Sequence, residues 1–256
     1  MGKYEVKKVF KQVKSLPSGF GFYPKGTEVR FSPMTTGEIE TLNESDLSSL
    51  MVFKSALEGI QTTKIQPTDL TFSDFVFISL QRRLYSQTEI RCTLNTTCPN
   101  CGTRIVQDFD FNELEFDEPK DNRLQTCTLG GYKVVVGPLT IGNMISMLES
   151  ERGVNTVDTL AHCIKKIYLP GSEVAEVEVD ELFPLAQEII ANTWGEEREV
   201  MNYIDSLQSH GLLPRKITCK NQACKYEWEE DLGTPDALIF PSSKPEQSIR
   251  DKVHAC

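Results

Sequence analysis

The chain has 256 residues, a net charge of −10, 39% hydrophobic residues and 25% charged residues. This length allows one large domain or two smaller ones with hydrophobic cores, and the composition is typical of a globular protein. A membrane-spanning helix needs about 18 apolar residues in a row, and no apolar run in this sequence is that long, so no membrane association is expected.

Residues 1–15 form a basic arm with the lysines Lys3, Lys7, Lys8, Lys11 and Lys14. The valines at positions 6, 9 and 13 fit either an amphipathic helix or short strands. A solvated tail is the simplest interpretation, and the alternative is an arm that becomes ordered on an acidic partner. This stretch lacks the apolar segment of a secretory signal. Together with eight cysteines, this predicts a reducing cytoplasm.

Residues 16–90 are predicted to form a region of one strand and two helices. Val29 and Phe31 alternate with polar residues and indicate a strand that ends at Pro33. A helical spacing then relates four apolar residues, which are Leu50, Phe53, Leu57 and Ile60. Ser45 or Asp46 is the expected cap of this helix.

The second predicted helix covers Phe72 to Tyr85, follows Pro67 and Asp69, and is apolar on most sides. Arg82 and Arg83 near its carboxyl end suit the helix dipole.

Two cysteine pairs carry most of the chemical information. Cys98-Pro-Asn-Cys101 lies in a sequence rich in turn-forming residues, and Cys219 and Cys224 form a looser second pair. Each pair is followed by an alternating pattern typical of a strand. Two such knuckles that face each other supply the four soft ligands of a tetrahedral structural zinc site with no open position for substrate. The sulfurs of Cys101 and Cys219 should then lie about 3.5–4 Å apart.

Other interpretations of the cysteines remain. Cys-x-x-Cys also occurs in redox sites, but there it usually opens a helix, and two disulfides would need an oxidising compartment. Cys92 is an alternative ligand, and Cys163 fits a helix core. Cys127 and Cys256 show no regular spacing.

The fold is predicted to be α+β, with a split zinc ribbon at residues 91–112 and 214–232 around a mostly helical insertion, residues 113–213. The insertion starts with a strand at Tyr132–Val136, followed by four helical patterns. The first contains Ile141 and Leu148, and the third Leu182 and Ile190. The second runs through five residues, which are Val157, Leu160, Ala161, Ile164 and Ile167. The fourth runs from Val200 to Leu207.

Asn155 and Asp180 are the expected caps of the second and third helices, and residues 233–256 read as an extended tail.

The sequence contains no phosphate-binding glycine loop, nucleophile elbow or zinc-protease motif, so the protein is predicted to be no enzyme and to have no small-molecule substrate. Acidic residues follow both knuckles and would repel a phosphate backbone, which argues against nucleic acid as a partner. A zinc-ribbon protein that binds nucleic acid stays the alternative to a protein-binding role.

Within residues 16–112 the chain resembles the baseplate hub assembly proteins of T-even-type contractile-tailed bacteriophages. The resemblance is carried by short segments, which are Leu16-Pro17-Ser18, Val29 to Thr35, Glu38, Asp74 to Ser86, Glu89 and Thr97 to Cys101. It implies a late, non-enzymatic protein, an assembly factor or chaperone or a minor baseplate component, whose partners are phage tail and baseplate hub proteins. It also implies a location in the host cytoplasm during assembly, or in the baseplate of the virion.

Overall fold

The computed structural model describes residues 9–38, 49–86, 91–110, 113, 115, 124–171, 177–193, 195, 198, 200–202 and 213–230, without the side chains of residues 49, 84, 91–93, 109, 110 and 179. The chain divides into two compact units. Unit 1 comprises Met1–Ser32, Ser49–Ile78 and Asp117–Gly211, and unit 2 comprises Pro33–Ser48, Ser79–Phe116 and Leu212–Cys256. Residues 16–90 contribute to both units.

The amino-terminal part of unit 1 is a small antiparallel sheet, in which β1 (Lys11–Gln12) and β3 (Ile60–Thr62) flank β2 (Val29–Phe31). Val29 and Phe31 are buried and Arg30 is exposed, which confirms the predicted strand. Of the two structures that fit the valines of the basic arm, the described residues show a short strand at Lys11–Gln12 and no helix, and Val13 is buried against this sheet. Lys3, Lys7 and Lys8 lie outside the described residues.

Helix α1 (Ser49–Leu57) is shorter than predicted. Ile60 belongs to β3 and not to the helix, because the carbonyl of Gly59 accepts a 2.9 Å hydrogen bond from Ser32 and residue 60 pairs with Phe31. Sheet pairing therefore ends the helical pattern here. The expected caps Ser45 and Asp46 lie outside the described residues.

A 3₁₀ turn at Pro67–Asp69 leads into helix α2 (Phe72–Leu84), as predicted. Asp74 in its first turn is fully buried and accepts hydrogen bonds from the Ser18 amide at 3.0 Å and the Tyr23 hydroxyl at 2.5 Å. The same hydroxyl accepts from the Thr71 amide at 2.9 Å. Burial raises the pKa values of both Asp74 and Tyr23. This polar cluster holds residues 18–23 against α2.

The main core of unit 1 packs three helices against a second antiparallel sheet, whose three strands lie side by side in chain order. The strands are β6 (Gln125–Leu129), β7 (Tyr132–Val136) and β8 (Ile164–Tyr168). The helices are α3 (Ile141–Glu149), α4 (Thr156–Cys163) and α5 (Val179–Asn192). The predicted strand at 132–136 is confirmed, and so is Asn155 as the α4 cap, which accepts from the Asp158 amide at 2.9 Å.

Two expectations for the elements of the insertion are wrong. Ile164 and Ile167 lie in β8 and not in the preceding helix, because they pair with β7. The described part of residues 113–213 therefore contains three strands beside its helices. Helix α5 begins after Glu178, and no side chain caps it, so Asp180 is a first-turn residue instead of the cap. Of the fourth helical pattern, residues 200–202 are helical and the rest lies outside the described residues.

Unit 2 contains two antiparallel hairpins. One joins β4 (Arg91–Thr97) to β5 (Arg104–Asp110), and the other joins β9 (Arg215–Thr218) to β10 (Glu227–Glu230). The molecule is thus a mixed α+β protein with small antiparallel sheets. Within the described part of the chain, no helix is long and apolar enough to cross a membrane. The predicted tail at 233–256 lies outside the described residues.

Candidate metal centre

The first cysteine pair occupies the turn between β4 and β5. The Cys98 amide donates to the Thr103 carbonyl at 2.9 Å, and the Gly102 amide donates to the Cys98 carbonyl at 2.9 Å. Gly102 has a φ of +69°, a conformation that glycine adopts without strain. The turn therefore brings Cys98 and Cys101 to the same end of the hairpin.

The second pair occupies the turn between β9 and β10. The Cys219 amide donates to the Tyr226 carbonyl at 2.8 Å. The Asn221 carbonyl accepts from the amides of Cys224 at 2.9 Å and Lys225 at 3.0 Å. These bonds make a tight turn in which the thiols of Cys219 and Cys224 both lie at the hairpin end.

The two turns bring all four sulfurs together. The Sγ atoms of Cys98 and Cys224 are 3.8 Å apart, and those of Cys101 and Cys219 are 3.6 Å apart. All four sulfurs lie within 4.8 Å of one another, so the group could hold a metal ion. A tetrahedral ion with bonds of about 2.3 Å to sulfur would space its ligands by about 3.8 Å. The distances therefore suit a four-sulfur metal site.

The surroundings of the sulfurs are apolar on one side and open on the other. Cys98 and Cys219 are buried with Ile105 and Ile217, whereas Cys224 is half-buried and Cys101 is exposed. Leu94 and Trp228 pack against this small cluster. Half of its fully buried side chains are cysteines, so the group is both the candidate site and the core of the hairpins.

Two asparagines contact the sulfurs crosswise. Asn100 Nδ2 of the first turn lies 3.3 Å from Cys224 Sγ, and Asn221 Nδ2 of the second turn lies 4.0 Å from Cys101 Sγ. Amide donors of this kind stabilise thiolates. Sequence reasoning assigned Asn100 only to turn formation and missed this contact. The signal was present, since each pair contains Asn two positions after its first cysteine.

Two of the thiols differ in acidity. The Thr103 hydroxyl, 3.1 Å from Cys101 Sγ, lowers the pKa of Cys101 to about 6. Burial raises the pKa of Cys219 to about 12. Four thiolates this close need a cation between them, because like charges at such distances disfavour one another.

A redox role fits the surroundings poorly. The residues after Cys101 form strand β5, whereas a redox Cys-x-x-Cys usually opens a helix. All four cysteines are free thiols in the structure.

Cys127 and Cys163 belong to unit 1, whereas the cluster belongs to unit 2. Cys163 is fully buried in the unit 1 core, as predicted, and burial raises its pKa to about 11. Cys92 lies in β4. Its side chain is not among those that the structure describes, so its role as an alternative ligand stays a prediction. Cys127 is half-buried in unit 1.

The segment between the two cysteine pairs begins and ends at neighbouring positions of unit 2. The Leu213 amide donates to the Glu115 carbonyl at 2.9 Å, and Arg215 pairs with Glu113. The ends of the segment between the cysteine pairs therefore meet, as a shared metal site requires.

A buried ion pair in unit 2 was not predicted from the sequence. The Arg82 guanidinium is buried and pairs with Glu38 at 2.9 Å, whereas the sequence suggested only an interaction with the helix dipole. The Glu38 carboxylate also accepts a hydrogen bond from the Thr35 amide at 2.6 Å. The pair joins residues 44 positions apart, so no local pattern reveals it.

The chain matches the model of a protein family described as "T4 bacteriophage base plate protein" over residues 4–228. This span extends well beyond the resemblance seen in residues 16–112 and includes both cysteine pairs. No curated protein and no solved structure matches the chain.

Proposed function

This chain belongs to the T4 bacteriophage base plate protein family, and we propose that it serves the baseplate hub, as an assembly factor or as a minor structural component. The family match over residues 4–228 is the observation that carries this proposal. The protein would act through protein–protein interfaces, in the host cytoplasm during assembly or in the virion baseplate.

The four clustered cysteines support a structural zinc within this function. Thiolates are preferred zinc ligands, and the sulfur spacings of 3.6 and 3.8 Å suit a tetrahedral ion. With Cys98, Cys101, Cys219 and Cys224 as ligands, the metal has no open position for water or substrate. Its contribution is to join the two hairpins as a split zinc ribbon, not to perform chemistry.

The charges around this ribbon favour a protein partner over nucleic acid. Arg215 and Lys216 are paired with Glu113 and Glu227, and the Lys220 ammonium donates to the Val106 carbonyl at 2.6 Å. These cations are already engaged within the protein. Phosphate contacts depend on available lysine and arginine side chains.

Co-expression with the tail and baseplate proteins encoded nearby tests the proposal. We expect co-purification with one of them, and detection of the chain by mass spectrometry in infected lysate or in purified virions. Presence in virions would favour the structural component, and presence only in lysate the assembly factor.

A zinc-free variant, Cys98→Ser, should lose the association if the ribbon supports the interface. Cys127→Ser is the matched control, because this cysteine lies outside the cluster. A chain that binds none of these proteins, yet shifts duplex DNA at physiological salt, would show that the nucleic-acid alternative is right.

A further inference from the structure

Strand β6 forms one edge of the β6-β7-β8 sheet in unit 1. A two-residue turn, Gly130-Gly131, joins it to β7, and both glycines have positive φ values of 58° and 78°. Such a turn makes Leu129 and Tyr132 a hydrogen-bonded pair. Because bonded and non-bonded pairs alternate along an antiparallel ladder, Cys127 also bonds to β7, whereas the N–H and C=O groups of Thr126 and Thr128 point away from it.

This edge is open in the part of the chain that the structure describes. There, no backbone hydrogen bond reaches Thr126 or Thr128 from another segment, and both residues are exposed. The opposite edge of the same sheet differs, since the Val177 amide donates to the Ile167 carbonyl of β8 at 2.9 Å.

The edge also lacks the features that prevent pairing with another strand. Natural edge strands carry charges, proline or bulges for this purpose. Gln125–Leu129 has no charged residue and no proline, and its register with β7 is unbroken. By contrast, β10 carries glutamates at positions 227, 229 and 230. The β6 edge is therefore built to accept a strand.

We propose that the occupant is β6 of a second copy of this chain, paired antiparallel about a two-fold axis at Cys127. The sequence Thr126-Cys127-Thr128 is the same in both directions, so Thr126 lies opposite the partner's Thr128 and every outward N–H and C=O group of both threonines is paired. A register shifted by two residues leaves only one threonine–threonine pair. Threonine pairs across strands are favourable.

Self-complementarity is what selects a second copy. The edge has no charged residue that would favour an acidic or a basic strand of another protein. A two-fold axis joins the same surface of both copies, which is the commonest arrangement of dimers. The two sheets then form one continuous sheet.

The register makes a geometric prediction. Cys127 and the partner's Cys127 form a non-hydrogen-bonded pair, with Cα atoms about 4.5 Å apart. This separation lies within the range that a disulfide spans. Mild oxidation of the dimer should therefore link these two residues.

Analytical ultracentrifugation of the full chain with zinc present tests the proposal. We expect a reversible monomer–dimer equilibrium. Thr126→Pro removes one outward N–H from each copy and leaves the β6–β7 ladder intact, so the dimer should weaken by roughly 30-fold, about fivefold for each lost hydrogen bond. Thr126→Val keeps the N–H and is the matched control, expected within about threefold of the wild type.

Peptide mass spectrometry after mild oxidation should find a Cys127–Cys127 link that Cys127→Ser abolishes. Circular dichroism and thermal melting check that the variants fold. If Thr126→Pro does not fold, Thr126→Lys replaces it, because a charge at this edge opposes pairing without changing the backbone. A wild type that stays monomeric at high concentration, a dimer that tolerates the edge substitution, or a link mapped to other cysteines would overturn the proposal.

Discussion

Replacing Cys98 by serine tests whether a metal ion holds the hairpins of unit 2 together. Apart from cysteines, the fully buried side chains of their core cluster are Ile105 and Ile217. Burial of each contributes about 1.5–3 kcal/mol, so together they provide about 3–6 kcal/mol. Fixing the backbone costs about 1–2 kcal/mol per residue, which such a core offsets for only a few residues.

At the proposed zinc site, metal binding would supply the missing stabilisation. Structural zinc contributes on the order of 10 kcal/mol in isolated zinc-finger peptides. With one ligand lost, we expect the hairpins at 91–110 and 215–230 to unfold. The separate core of unit 1, built around strands β6 to β8, should stay folded because its buried residues are all apolar or cysteine side chains of that unit.

Hydrogen exchange with mass spectrometry distinguishes the two units. In Cys98→Ser, peptides from β4, β5, β9 and β10 should lose protection, whereas peptides from β7 and α4 should keep it. Elemental analysis should show one zinc per wild-type chain and none in the variant. Cys127→Ser is the control and should retain both the metal and the protection. Metal-free wild-type protein, or unchanged exchange in Cys98→Ser, would refute the reasoning.

Three further predictions concern buried and half-buried polar groups. Tyr23→Phe removes a donor from buried Asp74 and should lower the free energy of unfolding by about 3 kcal/mol in urea titrations. The loss should be smaller at acidic pH, where Asp74 is protonated. Glu38→Gln removes the charge paired with buried Arg82 and should cost about 3 kcal/mol, seen as a lower melting temperature. Burial lowers the pKa of His162 below 6.5, so its contribution to stability is present above that pH and lost as pH falls towards its folded pKa. In His162→Gln this part of the pH dependence should vanish from melting curves.

The cysteine cluster was predictable because metal ligation imposes its own geometry. Two turn-forming pairs specify soft ligands, and a shared ion forces the turns together whatever lies between them. The spacing of about 3.5–4 Å predicted for the sulfurs of Cys101 and Cys219 agrees with their distance of 3.6 Å. Whether zinc occupies the site stays a prediction.

Element ends were less predictable, because sheet pairing overrides local periodicity. Ile60 and Ile164 each continue a helical spacing, yet both lie in strands. Their partners, Phe31 and Val136, are about 30 residues away in the chain. A single apolar residue fits the last turn of a helix or the first position of a strand, and only the distant partner decides between them.

The residues that carry the family resemblance have a structural role that the sequence did not reveal. Ser18 and Asp74 bond to each other near the start of α2. At its other end, Glu38 pairs with Arg82, and the Met34 amide donates to the Ser86 hydroxyl at 2.5 Å. These residues hold the segments before α2 onto the helix, and several of them are buried.

Substitutions at these positions therefore report on how α2 is anchored, not on which protein is bound. A buried side chain such as Arg82 or Asp74 cannot touch a partner, so loss of binding in its variants would follow from loss of folding. Partner mapping should use exposed positions instead, such as Val106 and Tyr226 beside the candidate metal centre. Each is more than 40% exposed, so its removal changes the surface at little cost to stability. Loss of co-purification in such a variant, with zinc content and melting temperature unchanged, would locate the protein interface on the metal-binding hairpins.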